Sequence, residues 1–412
     1  MSNLAYKTRM LLALAAMCVW IAPAAYAEVT RAPREFAFAA EEWLREPDRT
    51  EIPWHIQIMP PRLTFMERQL VEVRAEMRAS DLQKKSVKRN LQVLAKVADE
   101  DGGWFEDESY GEMALDKPVS KKDSLEFVVG VFLRPGKYQV ALVLYDSELK
   151  QRNVGRKWIE VAPLKNDPLP QLESGLPAVE FVDQVGQSWQ FPAARLTLPV
   201  KARHPVQVDV LVNFSPSAIY SGRTRTLRRN VSAFLQITHV LSQLDVDPGC
   251  VRLNGIDVLG LKVLFEDVDP ERADWDKIVQ AALQVSAPVV DVSTLQGRKQ
   301  TAAFFSNFMQ RTVREARPAC RGPRGERPER AYIVAGSGML FPTGTHVEPM
   351  PQMACECRVY YLRGHLEYGA IWDEMERVLK PLRPRRLDVE GAEQFRSALA
   401  SIVADLEGPP PR

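Results

Sequence analysis

The pattern of hydrophobic and polar positions changes character partway along the chain. From Pro53 to about Val161, short runs rich in β-branched and aromatic residues follow one another: IQIMPPRLTF, QLVEVRAEMRA, NLQVLAKVAD, SLEFVVGVFL, KYQVALVLYD and KWIEV. Several alternate apolar with polar, most clearly QLVEVRAEMRA, so successive side chains face opposite sides of a pleated strand. Asp101-Gly102-Gly103 and Arg134-Pro135-Gly136 supply turns between them. Short strands with such turns predict an antiparallel β-sandwich over 53–165. Residues 28–52 before it are charged and helix-compatible, and read as a lead-in with one short helix.

Residues 166–198, with the run NDPLPQLESGLPAVEF, lose periodicity and read as a linker, with a hairpin at Val179–Val200 leading into the next domain. Strands and helices then alternate. Val206–Asn213 reads as a strand, Thr224–Leu244 as an amphipathic helix, and Cys250–Phe265 as one or two strands. Trp275–Val285 is a helix, Val289–Val292 a strand, and Lys299–Glu315 a helix. Ala331–Ala335 and Arg358–Leu362 are buried strands, and Glu393–Leu406 a closing helix. Strands separated by helices predict a largely parallel sheet covered on both faces, hence a doubly wound α/β domain over 199–407 with a loose tail at 408–412.

The start of the chain changes the compartment expected for the rest. Lys7 and Arg9 precede an apolar stretch, Met10–Ala24, followed by Ala25-Tyr26-Ala27. That is the layout of a signal peptide, predicted over 1–27 with cleavage after Ala27. The apolar stretch is shorter than the roughly 20 residues a membrane span needs. A periplasmic or secreted chain without a transmembrane span is therefore expected. A net charge of +1 gives no global field to attract nucleic acid or an anionic membrane. In an oxidising compartment Cys250, Cys320, Cys355 and Cys357 are disulfide candidates, with the pairing open. Cys355 and Cys357 are too close in sequence for an easy mutual bridge. No CxxC pair or histidine cluster supports zinc instead.

Val206–Ser217, VQVDVLVNFSPS, is the stretch around which the second domain is organised. It runs as an alternating apolar strand into a loop carrying Asn213, Ser215 and Ser217, and a long helix follows. This resembles the von Willebrand factor type A family, over roughly Pro199–Leu406. In that family the first strand ends in Asp-x-Ser-x-Ser, a second loop adds a Thr, and another strand ends in Asp. Together they form an adhesion site for a divalent ion. By that resemblance Asn213, Ser215, Ser217, Thr294 and Ser337 occupy the site positions, and the fold is type A or Rossmann-like. FLRPGKYQVALVLYD in the β-domain likewise resembles the late strands of immunoglobulin-like domains, without their Cys-Trp-Cys framework. The whole arrangement resembles bacterial secreted, type-A-related proteins.

The departures carry the chemistry. Magnesium and calcium want hard, preferably anionic oxygens. Asn213 and Ser337 are neutral where the family has carboxylates. Asp291 or the acids at 266–269 are the substitute charges within the chain. No cofactor is expected beyond weak Mg2+ or Ca2+ contact, and the loop residues are expected to cap the strand-to-helix turn. Arg223 and Arg225 oppose the dipole at the start of the long helix, which makes them candidate anion or partner contacts. An envelope hydrolase using Ser215 or Ser337 is the enzyme alternative. However, Ala335-Gly336-Ser337-Gly338-Met339 lacks the spacing of a nucleophile elbow, and no spacing selects a base among His55, His204, His239, His346 and His365. The acidic run Asp99–Asp107 lacks calcium-loop spacing and reads as a hairpin loop. The expectation is a non-catalytic protein that binds a protein partner in the envelope, or a scaffold module without a ligand.

Overall fold

The computed structural model describes residues 32–82, 88–115, 120, 122–182, 191–215, 224–285, 300–314, 328–339, 357–364 and 373–409. The chain is β-rich, with three sheets and several helices among the described residues. The signal segment 1–27 lies outside them. No helix among them is long and apolar enough to cross a membrane.

The first half is a two-sheet sandwich. One sheet orders β1 (Arg49–Thr50), β9 (Gln151–Val161), β8 (Gly136–Asp146), β5 (Arg89–Ala98) and β6 (Trp104–Leu115). The other orders β10 (Val179–Val182), β7 (Ser124–Leu133), β4 (Gln69–Arg78) and β2 (His55–Ile58), with β3 (Arg62–Leu63) also on β4. All these pairings are antiparallel. On β4 the alternation read from the sequence sends Val71, Val73, Ala75 and Met77 inward against Leu91, Val93, Ala95 and Val97 of β5. Glu72 and Arg74 face outward and pair with each other. Helix α1 (Arg34–Trp43) closes the outer face of the first sheet, burying Phe36 and Ala40 against Leu94, Tyr110 and Val143. A short helix, α2 (Ala79–Leu82), follows β4.

Three expectations shift here. The acidic run is a loop only from Asp99 to Gly103, where Gly102 takes φ +87° and closes the turn. Its remainder opens β6, a strand whose acids hid its alternation. The linker 166–198 gives Val179–Val182 to the sandwich, because these residues pair with Leu133–Gly130 of β7. The lead-in supplies β1 as well as a helix.

The second half is a six-stranded sheet ordered β13 (Lys262–Val268), β12 (Leu244–Asp257), β11 (Leu198–Asn213), β14 (Glu329–Ser337), β15 (Cys357–Gly364) and β16 (Arg385–Val389). Every neighbour pair is parallel except β12 with β13. Helices α3 (Thr224–Leu241), α4 (Trp275–Val285) and α7 (Ala392–Leu406) pack on one face, where Phe234, Leu235, Ile278, Phe395 and Leu399 meet Val208, Val210 and Val212. Helices α5 (Thr301–Arg314) and α6 (Glu374–Leu379) cover the other, where Phe305, Met309, Met375 and Val378 meet Leu211, Tyr332 and Val334. β11 is therefore buried on both faces, which is why Val206–Val212 reads as a nearly unbroken apolar run.

Among the described residues a charged knot is one of the contacts between the halves. Arg396 of α7 is 2% exposed and forks onto Asp167 at 2.6 Å through both Nε and Nη2. Phe65, in the β3–β4 turn, meets Phe395 at a ring-centroid distance of 6.1 Å. Removing a buried cation strands the carboxylates it served. Arg396→Ala is expected to lower the unfolding free energy by about 3–5 kcal/mol, read from urea denaturation of the full chain.

Candidate functional site

The carboxyl ends of β11, β12 and β14 bring the predicted loop together with residues that sequence reasoning did not select. Asn213 closes β11 and is fully buried. Its Oδ1 accepts from the backbone N–H of Ser215 at 3.1 Å and of Val258 at 3.3 Å. Its Nδ2 donates to the sulfur of Met339 at 2.9 Å and faces that of Met375 at 3.5 Å. Two N–H donors on one side and two thioether acceptors on the other fix which end of the amide is oxygen. No amide atom is left for a metal ion. A carboxylate here would set an anionic oxygen against two sulfurs, which accounts for Asn where the resembled family has Asp.

Ser215 is 1% exposed. Its hydroxyl donates to Asp257 Oδ1 at 2.7 Å and accepts from Leu259 N–H at 3.0 Å. Asp257, at the end of β12, also takes the N–H of Gly260 at 3.0 Å. A Cβ at Gly260 would lie 2.2 Å from Asp257 Oδ2, so only glycine lets the turn close on that carboxylate. The substitute acids named from the sequence are elsewhere: Glu266 pairs with Arg311, while Asp267 and Asp269 pair with Arg252. Asp291 lies outside the described residues. The acid beside Ser215 is Asp257, and its signal was an Asp at the carboxyl end of a strand, where doubly wound sheets place their sites.

Ser337 ends β14 on the neighbouring strand and is 2% exposed. Beyond it Asp373 caps α6. It accepts from Met339 N–H at 3.2 Å, Met375 N–H at 3.1 Å and the Tyr361 hydroxyl at 2.7 Å, and pairs with Arg363 at 3.0 Å. Burial, then the Asp373 charge, holds the Tyr361 hydroxyl well above its ordinary range, so it stays a neutral donor. The sequence signal for Asp373 was an Asp before Glu-Met-Glu, an ordinary helix cap. Asn230 on α3 was also passed over. It is 2% exposed, and neither amide atom has a hydrogen-bond partner.

Ser217, Thr294, Arg223, Cys320 and Cys355 lie outside the described residues, as does the side chain of Arg225. Cys250 and Cys357 are each disulfide-bonded, which removes both thiols from zinc chemistry. They are not each other's partners. The register Cys250–Gln207–Arg330–Cys357 separates them by three strand spacings, about 14 Å and beyond the reach of a disulfide. Among the described residues no cluster of three His, Cys, Asp or Glu can hold a metal ion.

The described histidines stand away from both serines. His204 pairs with Glu329 at the amino end of β14. His239 stacks on Phe191 at 4.1 Å with its Nδ1 held by Gln243, and burial, helped by the Arg195 charge, pushes it down to about 3. It is a neutral packing group. His55 belongs to β2 in the sandwich. His346 and His365 lie outside the described residues.

No protein-family model matches the chain, and no curated protein matches it. Among solved structures it is similar to a conjugate transposon protein from Bacteroides vulgatus at 15% identity and TM-score 0.15, over 29% of this chain and 90% of the other. It is similar to a family 123 glycoside hydrolase from Clostridium perfringens at 7% identity and TM-score 0.25, over 82% and 72%. A pilus adhesin from Streptococcus pneumoniae gives 8% identity and TM-score 0.17, over 63% and 42%. Likenesses this slight carry no statement about fold or function.

Two buried amides, one bonded and one unpartnered among the described residues, respond oppositely to substitution. Asn213→Asp loses the donor to the sulfurs and buries a charge, and is expected to cost about 3–5 kcal/mol at pH 7. Burial raises the new carboxyl's folded-state pKa, so the loss should shrink as pH falls, read by urea denaturation at pH 4.5 and 7. Asn230→Leu removes an unpaired buried amide and should add about 1 kcal/mol of stability, read by thermal unfolding.

Proposed function

We propose that the chain is an exported, non-catalytic interaction protein whose second domain is type-A-like and meets a protein partner over the rim at the carboxyl ends of its strands. Counted within that domain the strand order is 3-2-1-4-5-6, with the third strand reversed. This is the doubly wound order whose binding crevice lies between the first and fourth strands. The immunoglobulin-like reading of the sandwich belongs to the same proposal.

One observation carries the functional part. At the crevice position, between β11 and β14, the polar groups of Asn213 and Ser215 are bonded inside the protein. Asn213 serves two backbone donors and two sulfurs, and Ser215 gives its proton to a carboxylate, not to an imidazole. That arrangement shapes a loop. It supplies neither metal ligands nor an activated nucleophile. The contact role then falls to Ser217, Arg223 and Arg225, which follow Asn213 and Ser215 in the sequence. Export is supported by the leader pattern and by the disulfides at Cys250 and Cys357, which belong to an oxidising compartment.

Calorimetric titration with Mg2+, Mn2+ and Ca2+ is expected to give no submillimolar binding. Such binding, abolished by Asn213→Ala, would overturn the ion-free reading. Affinity capture from the envelope with the native chain should recover a partner that the Ser217→Ala, Arg223→Ala, Arg225→Ala variant loses. Equal recovery by both removes the rim from the mechanism and leaves a scaffold role.

A further inference from the structure

Glu67 is the least expected charged group in the molecule. It sits in the β3–β4 turn, where Thr64 N–H bonds Arg68 O and Glu67 N–H bonds Thr64 O. Its φ of +58° lies in the left-handed region that favours glycine. Its side chain is fully buried where the turn meets α7. One carboxyl oxygen, Oε2, lies 3.4 Å from Arg396 Nη1, and the other, Oε1, has no hydrogen-bond partner.

The neighbouring charges do not make good that deficit. Arg396 gives its fork to Asp167 at 2.6 Å, a further bond to Leu169 O at 3.0 Å and another to the Glu67 carbonyl at 3.3 Å, leaving one long contact for the Glu67 carboxyl. Arg68, next in sequence, is committed to Glu180. Asp167 and Glu173, from the segment between the domains, add negative charge, and Arg134 acts on Glu173 from the end of β7. A fully buried carboxylate with one oxygen unserved is costly, whereas a neutral carboxyl in the same place carries no charge to desolvate. Burial accordingly pushes Glu67 up to about 8 against the opposing pull of Arg396.

We propose that this joint is a proton-controlled latch between the β-sandwich and the α/β domain, closed while the Glu67 carboxyl is neutral and loosened when it ionises. The contact that would open is defined: the β3–β4 turn with Phe65 on one side, and the first turns of α7 with Phe395 and Arg396 on the other. The direction follows from linkage. A carboxyl held above its ordinary 4.5 contributes stability that is complete below pH 4.5 and is lost as pH rises towards 8.

The test is amide hydrogen exchange of the full chain at pH 6 and pH 8.5, corrected for the intrinsic base-catalysed rate. Relative to the β5 core, residues 64–69 and 392–399 are expected to lose up to about a hundredfold of their protection at the higher pH, roughly the change that two pKa units of linkage supply between pH 6 and 8. Glu67→Gln, which copies the neutral form, should hold its protection at both pH values. A flat wild-type profile overturns the latch, and so does a Glu67→Gln profile that falls as the wild type does. If Glu67→Gln does not fold, Asp167→Asn carries the test, because it frees Arg396 for Glu67 and should move the loosening to lower pH. An unmoved transition overturns the proposal.

Discussion

A strand covered on both faces has no water to turn to, and β11 is that strand. Over its buried half, Pro205–Asn213, every polar group must be served by the protein. The solutions differ along its length. Asp209, 1% exposed, takes Arg330 from β14 at 3.0 Å and the Gln207 amide at 3.1 Å. Asn254 of the neighbouring β12 gives its amide to Val210 O at 3.2 Å. At the carboxyl end Asn213 spends both ends of its amide on two backbone donors and two methionine sulfurs. A group that must hold a loop this way is a poor place for a metal ligand, since the ligand's lone pairs are already in use.

The two rims of this sheet are built from different chemistry. At the amino end of the strands Glu329 joins His204 and Arg358, and Arg358 reaches on to Asp405 and to the Pro409 carbonyl. Cys250 and Cys357, near the same end, are each disulfide-bonded, though not to each other. These contacts are covalent or ionic and fasten the sheet, leaving little to move. The carboxyl end is held by the amide of Asn213 and by two acids: Asp257, which takes the Ser215 hydroxyl and the Gly260 N–H, and Asp373, which gathers two backbone donors, a phenol and a guanidinium.

Much of this was legible in the sequence, and the misses have physical reasons. The β11 run, the long helix after it and the alternation of β4 announce themselves because one period dominates each. β6 escaped because Glu106, Asp107 and Glu108 put acids where a half-buried strand is expected to alternate. β16 escaped for a similar reason: Arg385 and Arg386 are exposed on an edge strand and paired with Asp405, Asp388 and Glu376, so the basic cluster is an ion-paired strand edge. β10 is four residues long and exists only because β7 offers it an edge, which no local pattern records. Asn213 and Ser215 were found by spacing. Their partners Asp257, Met339 and Met375 are remote in sequence, and only the folded sheet with its covering helix brings them together.

Asn213 and Glu67 answer the same problem in opposite ways. Both sit in dry places with polar atoms to satisfy. Asn213 is neutral at every pH and fully served, so its bonds to Ser215, Val258, Met339 and Met375 do not depend on protonation. Glu67 can ionise and is half-served, because the one cation in reach is shared with Asp167, which holds it at 2.6 Å. A joint closed by such a group is conditional in a way that a joint closed by an amide is not. The left-handed backbone at Glu67 adds to its cost, and glycine would remove both the strain and the charge. That glutamate stands where glycine would be cheaper is the reason to read the position as a control on the joint rather than as a defect of packing.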